Sequence, residues 1–398
     1  MGEKIGYIVF LSLLLFVAVM GCKKPFSVPL SATANSYLVV EGVINTGNDS
    51  TYIKLSRTVA LSSKTTTRPE TNARISIESE NGAAIALTEV SSGRYGTGPL
   101  GLDPAKKCRL HINVSDGREY LSDLVEIKNT PEIDSISYHI QGTGLQFYVS
   151  AHDNNKNTHY YRWDFEETYK YVSNFRSLAI LDDHGFPRFR TGLDPQIFEC
   201  YKTLPSFQVL LGSTAKLDKD VIYQQPINFV DAGSGKISYG YSFLLRQYAI
   251  TQPAFEYYQL LKKNTEQLGS VFDAQPSTTR GNISCKTNPA EPVIGFISAC
   301  SIKAKRIYID HFNIALFTPS YFPPPPVTDC FYHYVPIEPL DTYATRLDHI
   351  FSSGDTVLAN PVAPPGGPVT GYAYGPKECI DCRAKYPKGT IVKPVFWP

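Results

Sequence analysis

Hydrophobic and polar residues alternate along much of the chain, beginning near Tyr37. The runs YLVVEGVI, TYIKLSRT, ARISIES and RLHINVS place apolar residues at nearly every second position, which is the pattern of a strand with one buried face. Asn81-Gly82 and Asp116-Gly117 follow two of these runs, and such pairs favour the positive φ angles of tight hairpin turns. With no helical period between the runs, the pattern predicts an immunoglobulin-like β-sandwich over residues 36–130.

A second β-rich region follows. The runs LQFYVSAH and THYYRWDFEETYKYV flank the turn DNNKN and predict a long hairpin. One helix is predicted from Thr251, a capping residue, through Pro253 in the first turn to Gly269 at the C′ position. We therefore expect a mostly β protein in which residues 131–398 form a larger β-rich domain with one or a few helices and a loop-rich, cysteine-containing C-terminal tail.

The first residues have the pattern of an export signal. An apolar run from Ile5 to Met20 follows Lys4 and is shorter than a membrane span requires. It leads into Val19-Met20-Gly21-Cys22, which resembles the lipobox of bacterial lipoproteins. The sequence thus predicts a signal peptide over residues 1–21, lipid attachment at Cys22, and a lipid-anchored tether over residues 22–35. Multiple acyl chains anchor stably, so we expect membrane attachment through this lipid.

Composition and motifs exclude some classes of function but do not identify one. Lys and Arg together number 38 against 37 for Asp and Glu, so charge gives no case for nucleic-acid binding. The 26 Tyr and 21 Phe favour strands over helices. The chain has no HExxH and no GxSxG motif, and GSGK at Gly233–Lys236 lacks the first glycine and the Ser or Thr of a phosphate loop. We therefore predict a protein without enzymatic activity and without a cofactor.

Aromatic residues near the start of the second region suggest a binding surface. Tyr160, Tyr161 and Trp163 are close enough in sequence to form an aromatic platform for sugars. Tyr160 and Trp163 are the candidate ligand-binding residues. A stripe of core residues explains Tyr161 and Trp163 equally well, because alternate residues of a strand share one face.

The eight cysteines indicate cross-links. Cys22 is assigned to lipid, and Cys108 alternates with apolar residues and is expected to be a free thiol facing the core. Six remain as structural disulfide candidates, and spacing alone does not choose among their pairings. These six are Cys200, Cys285, Cys300, Cys330, Cys379 and Cys382.

The CxxC formed by Cys379 and Cys382 has three readings: disulfides, zinc or a redox pair. An oxidising compartment favours disulfides, and joining Cys330 to either cysteine closes a loop of about 50 residues, worth about 4 kcal/mol. The zinc alternative uses Cys330, His333, Cys379 and Cys382 as four ligands. A redox pair fits least, because no strand-to-helix context surrounds the motif.

Several stretches resemble a known family. The opening YLVVEGVINTG, the segment LLKKNTEQLGSVFDAQPSTTRGNISCKTNPAEPVIGFISACSIKAKRIYI and the closing ECIDCRAKYPKGTIVKPVFWP look like the domain-of-unknown-function 4249 family, which comprises Bacteroidota lipoproteins. The resemblance implies a cell-envelope protein encoded beside a TonB-dependent outer-membrane receptor, and it implies no reaction and no catalytic residues. Lys23-Lys24-Pro25 after the lipid cysteine leaves the choice between the cell surface and the periplasmic face open.

Together these features lead us to expect a non-enzymatic, lipid-anchored outer-membrane lipoprotein. Its expected role is that of an accessory or substrate-capturing partner of a TonB-dependent transporter. A free-standing glycan- or peptide-binding surface module is the first alternative. A zinc-dependent envelope enzyme that uses the tail is the second.

Overall fold

The structure is a computed structural model, and it describes residues 36–59, 67–266, 280–310, 330–386 and 389–398. The predicted signal peptide, the tether and Cys22 lie outside the described residues, as does the predicted helix end at Gly269. The chain is mostly β, as the alternating pattern predicts. None of the helices in the described part combines the length and the apolar character that a membrane span requires.

The described residues form 25 strands and four α-helices, with 3₁₀ turns at Ala232–Ser234 and Leu340–Thr342. The strands are β1 Leu38–Asn45, β2 Thr51–Arg57, β3 Arg68–Pro69, β4 Arg74–Ser79, β5 Ala84–Ser91, β6 Arg94–Thr97, β7 Cys108–Asn113, β8 Glu119–Ser122, β9 Ile127–Lys128, β10 Ile133–Gln141, β11 Gly144–His152, β12 Tyr160–Val172, β13 Ala179–Leu181, β14 Pro187–Phe189, β15 Glu199–Pro205, β16 Leu210–Ser213, β17 Val221–Asp231, β18 Tyr241–Ala249, β19 Ile283–Cys285, β20 Val293–Ile294, β21 Ala299–Cys300, β22 Lys303–Ile309, β23 His333–Pro336, β24 Thr356–Val362 and β25 Gly371–Pro376. The helices are α1 Gln252–Glu266, α2 Tyr343–Phe351, α3 Lys377–Ile380 and α4 Cys382–Lys385.

The first of three bodies, here called the N-terminal body, is a curled sheet of twelve strands in the order β19-β8-β7-β4-β5-β6-β2-β1-β21-β9, with β20 beside β1 and β3 beside β2. Alternate residues of β4 and β7, such as Ile75, Ile77, Leu110 and Ile112, point into one buried core. The turns containing Gly82 and Gly117 join antiparallel neighbours, as predicted. The two glycines have positive φ, whereas Asn81 and Asp116 do not.

Residues far along the chain complete the N-terminal body. Strands β19, β20 and β21 add to the sheet from residues 283–300, and Ile283 and Ile297 are buried in the same core as the first strands. The immunoglobulin-like assignment and the boundary near residue 130 stay predictions. The core formed by the residues before this boundary nevertheless includes buried side chains from residues 283–300.

The second or central body packs two sheets face to face, β10-β11-β17 against β15-β12-β18-β22, with β16 also paired to β12. Phe147 of β11 stacks on Phe243 of β18 at 4.7 Å across this core. The predicted hairpin of β11 with β12 is therefore wrong, because the two strands belong to opposite sheets and DNNKN crosses between them. Both strands alternate because each has one face in the same core.

The third or C-terminal body forms where a loop-rich tail is predicted. It contains the sheet β23-β25-β24, the hairpin β13-β14 and helix α2. Val335, Leu347, Leu358 and Ala179 are buried together in its small core. Helices α3 and α4 lie between this body and the central body.

Helix α1 begins where the sequence predicts. The Thr251 hydroxyl accepts a hydrogen bond from the Ala254 amide at 3.4 Å, and Pro253 occupies the first turn. Phe255 and Tyr258 pack with Ile250 and Cys300 in a cluster that also includes Val43 of β1. This cluster joins the N-terminal body to the central body.

Candidate functional site

The two cysteines of the CxxC motif bond to different and distant partners. Cys382 pairs with Cys200, 182 residues away, and Cys379 pairs with Cys330, 49 residues away. This arrangement agrees with the interpretation of the CxxC cysteines as members of disulfides. Buried Asp381 separates the two cysteines and caps α4 by accepting a hydrogen bond from the Arg383 amide at 2.9 Å.

This pairing leaves Cys285 and Cys300, both predicted as disulfide candidates, as free thiols. The prediction of disulfides at these two positions is wrong, because Cys285 is buried in the core of the N-terminal body, whereas Cys300 lies in the cluster beneath α1. Cys108 is also free and fully buried, where it was expected. Burial raises the pKa of both Cys108 and Cys300 to about 12, so these thiols are protonated at neutral pH.

The zinc alternative lacks its ligands in this fold. The sulfur atoms of Cys330, Cys379 and Cys382 are all in disulfides, and a zinc ligand must be a thiolate. The fourth residue, His333, is exposed on β23 and packs against the Tyr374 ring at 5.4 Å. Within the described ranges, no group of three or more His, Cys, Asp or Glu side chains is arranged to hold a metal ion.

Trp163 is a core residue and not part of a binding platform. Its side chain is 1% exposed, stacks on Tyr161 at 5.7 Å, and donates its indole N–H to Gln247 Oε1 at 2.8 Å. The prediction of a ligand-binding Trp163 is therefore wrong, and the core-stripe alternative accounts for it. Tyr160, on the other face of β12, is half-buried and packs on Phe255 at 5.0 Å.

Tyr160 lines a cavity between the N-terminal and central bodies, here called the junction cleft. The cavity has a volume of about 580 Å³ and is bounded by Leu124 and Phe296 on one side and by Tyr160 and Pro253 on the other. A neighbouring polar cavity of about 620 Å³ shares Lys128 and Asn157 with it. The cleft thus combines apolar walls with a polar margin.

A buried carboxylate holds the DNNKN crossover, whose residues line the neighbouring polar cavity. Asp220 is 4% exposed and accepts hydrogen bonds from the Tyr161 hydroxyl at 2.9 Å, the Thr214 hydroxyl at 2.6 Å and the Thr158 amide at 3.2 Å. Its backbone carbonyl also accepts from the Asp153 amide at 3.0 Å. Asp220 therefore fixes both ends of the DNNKN crossover. No local sequence pattern indicates this role, because Asp220 lies far from DNNKN along the chain.

A third cavity, here called the tyrosine pocket, lies beside the Cys200–Cys382 disulfide. It has a volume of about 390 Å³ and is lined by the end of β12, by the start of β15, by the turn around Tyr239 and by the end of α4. Four tyrosines line it: Tyr169, Tyr171, Tyr239 and Tyr386.

Burial and charge distinguish the tyrosine pocket. Burial raises the pKa of Tyr171 to about 12, so its hydroxyl stays neutral, and the Tyr386 ring meets the Tyr171 ring edge-on at 4.9 Å. Burial also lowers the pKa of Lys385. Sequence reasoning missed this site because its walls come from four separate stretches of the chain.

These observations define a mostly β protein of three bodies, joined by a buried cluster and by disulfides, with open cavities near the joins. The family profile named Domain of unknown function (DUF4249) matches residues 23–306, and the chain belongs to this family. The match ends before β23 and before helices α3 and α4, so the predicted resemblance of the closing ECIDC segment stays a prediction.

Other comparisons add little to this assignment. No curated protein matches the chain. Among solved structures, the adhesin InvE of Yersinia pseudotuberculosis is similar at 14% identity over 54% of this chain and 55% of that chain, with a TM-score of 0.14. The chain thus spans about half the length of that adhesin structure.

Proposed function

We propose that this protein is a non-enzymatic outer-membrane lipoprotein that acts as an accessory or substrate-capturing partner of a TonB-dependent transporter. The two disulfides, Cys200–Cys382 and Cys330–Cys379, carry the envelope part of the proposal. Disulfides persist in oxidising compartments and are rare in the cytosol. The lipobox-like sequence ending at Cys22 supports a lipid anchor, and the neighbourhood implied by the family resemblance supports the partner.

The junction cleft supports the capturing role. Its volume lies in the range of small-molecule sites, which is about 300–1,000 Å³. Tyr160 and Phe296 offer apolar surface, while Asn157 and Lys128 offer polar contacts at the margin. We expect such an open cleft between two bodies to bind and release a ligand without catalysing a reaction.

Affinity purification of the tagged, lipidated protein from detergent-solubilised outer membranes tests the proposal. We expect a TonB-dependent receptor to co-purify in near-equal amount, as judged by mass spectrometry. The matched control is Cys22→Ala, which lacks the lipid and is expected to be absent from the membrane fraction. A lipidated protein recovered without such a receptor would overturn the partnership.

A free-standing glycan- or peptide-binding module is the second candidate, and the position of Tyr160 favours it. Tyr160 is the one of the two predicted aromatic residues that reaches a cavity. If the protein is recovered alone but binds a glycan or peptide, Tyr160→Ala should weaken that binding and Tyr160→Phe should retain it. Equal binding by both variants would exclude the junction cleft as the site.

A further inference from the structure

The tyrosine pocket carries an excess of positive charge on its walls. Lys170, Arg176 and Lys385 line it together with a single lining carboxylate, Glu199. Lys170 is already paired with Glu199 at 3.3 Å. Arg176 and Lys385 are therefore the two cationic side chains of the lining that are not paired with Glu199.

Neither of these two cations contacts a carboxylate in the described part of the chain. Lys385 Nζ donates to two neutral oxygens, the Val172 carbonyl at 3.2 Å and Asn174 Oδ1 at 3.0 Å. The Arg176 guanidinium stacks on the Phe198 ring at 3.9 Å and is exposed. Stacking leaves the edge of a guanidinium free to donate to a carboxylate in a bidentate manner. The arrangement is suited to an anion that is not part of the chain.

The rest of the pocket is suited to a ligand with both apolar faces and hydroxyl groups. Tyr239 and Tyr386 are half-buried and line the pocket with aromatic surface. Glu199 and Asn174 add acceptor and donor groups beside the rings. A sugar ring presents apolar C–H faces to aromatic rings and hydroxyls to polar groups, so it matches both features of this lining.

We propose that the tyrosine pocket binds an oligosaccharide that carries carboxylate groups. Arg176 and Lys385 pair with a carboxylate of the sugar, while Tyr239 and Tyr386 contact its ring. This site is separate from the junction cleft, so the inference goes beyond the proposed function. The test of this inference does not depend on whether a transporter partner co-purifies.

The Cys200–Cys382 disulfide gives the pocket its shape. Cys200 follows Glu199 directly, and Cys382 is the first residue of α4, which ends at Lys385. The disulfide therefore fixes the distance between the wall that carries Glu199 and the wall that carries Lys385 and Tyr386. Such preorganisation reduces the ordering cost of binding.

Isothermal titration calorimetry of the full, lipidated protein in detergent tests the site. The ligand is a galacturonate tetrasaccharide at low ionic strength, and the neutral control is a galactan tetrasaccharide of the same length. We expect one galacturonate ligand per chain, an affinity that falls as salt rises, and much weaker binding of the galactan. Arg176→Gln and Lys385→Gln should each weaken galacturonate binding by about tenfold, since each removes a charge-assisted hydrogen bond.

Matched controls keep the result interpretable. Lys106→Gln removes an exposed charge that lies outside the pocket and should leave binding unchanged. Arg176 is exposed, so Arg176→Gln is expected to fold even if Lys385→Gln does not. Undetectable galacturonate binding, binding that both pocket variants retain in full, or equal binding of the galactan would each overturn the proposal. Tighter binding of a sulfated galactan tetrasaccharide would overturn the assignment to carboxylates.

Discussion

Cys379 and Cys382 lie three positions apart, yet their disulfides enter two different cores. Cys382 is buried in the core of the central body with Cys200, and Cys379 is buried with Ile380 and Ala359 beside the C-terminal body. The CxxC motif therefore joins two bodies of the protein. It is neither a redox pair nor half of a metal site in this fold.

Removing these cross-links should destabilise the protein without changing its β content. In the chain-entropy model, the 49-residue separation of Cys330 and Cys379 corresponds to about 4 kcal/mol, and the 182-residue separation of Cys200 and Cys382 to about 5 kcal/mol. We expect the paired variants Cys330→Ser/Cys379→Ser and Cys200→Ser/Cys382→Ser to unfold at clearly lower urea concentrations. Reductant should lower the midpoint of the native protein and leave a protein without both disulfides unchanged. Equal midpoints with and without reductant would contradict the cross-links.

Thiol titration should separate the two classes of cysteine. Three free thiols lie in the described part of the chain, Cys108, Cys285 and Cys300. All three are buried, and a buried thiol reacts slowly because the thiolate is the nucleophile. The pKa of Cys108 and of Cys300 is raised to about 12, so the thiolate forms only as the pH approaches that value. For the lipidated protein, in which an acylated Cys22 does not react, we expect no rapid reaction with a thiol reagent near neutral pH. We expect three reacting thiols after denaturation and four more after reduction. Fast reaction in the native protein would contradict the burial.

The sequence predicted single strands well and their partners poorly. Alternation assigned β4, β7, β11 and β12 correctly, and the dipeptides at Gly82 and Gly117 identified two hairpins. Alternation reports only that one face is buried, so it did not reveal that β11 and β12 belong to opposite sheets. The return of residues 283–300 to the N-terminal body and the partners of Cys379 and Cys382 are long-range contacts, which local patterns do not encode.

The same limit applies to the candidate sites. Tyr160 and Trp163 are close in sequence, but residues three apart on a strand face opposite sides. That geometry sends Trp163 into the core and Tyr160 to the junction cleft. Lys385 reaches the tyrosine pocket from α4, which the Cys200–Cys382 disulfide joins to β15 over a separation of 182 residues.

Substitutions at Trp163 and Tyr160 should therefore have different effects. Trp163→Ala removes a fully buried aromatic side chain and should lower the free energy of unfolding by about 3–5 kcal/mol. Tyr160→Ala removes a half-buried ring and should cost clearly less. Urea unfolding followed by circular dichroism measures both. A Trp163→Ala protein as stable as the parent would show that the indole is not in the core.

The Asp220 carboxylate provides the sharpest test of how the DNNKN crossover is held. Asp220→Asn keeps the shape of the side chain but replaces one acceptor oxygen by a donor, which then faces a hydroxyl or the Thr158 amide. An unsatisfied buried polar group costs about 1–3 kcal/mol, so we expect a loss of that size in the free energy of unfolding. Asp218→Asn is the matched control, because Asp218 is exposed two positions away, and it should leave stability within about 0.5 kcal/mol of the parent. Equal stability of the two variants would mean that Asp220 does not fix the crossover between the sheets.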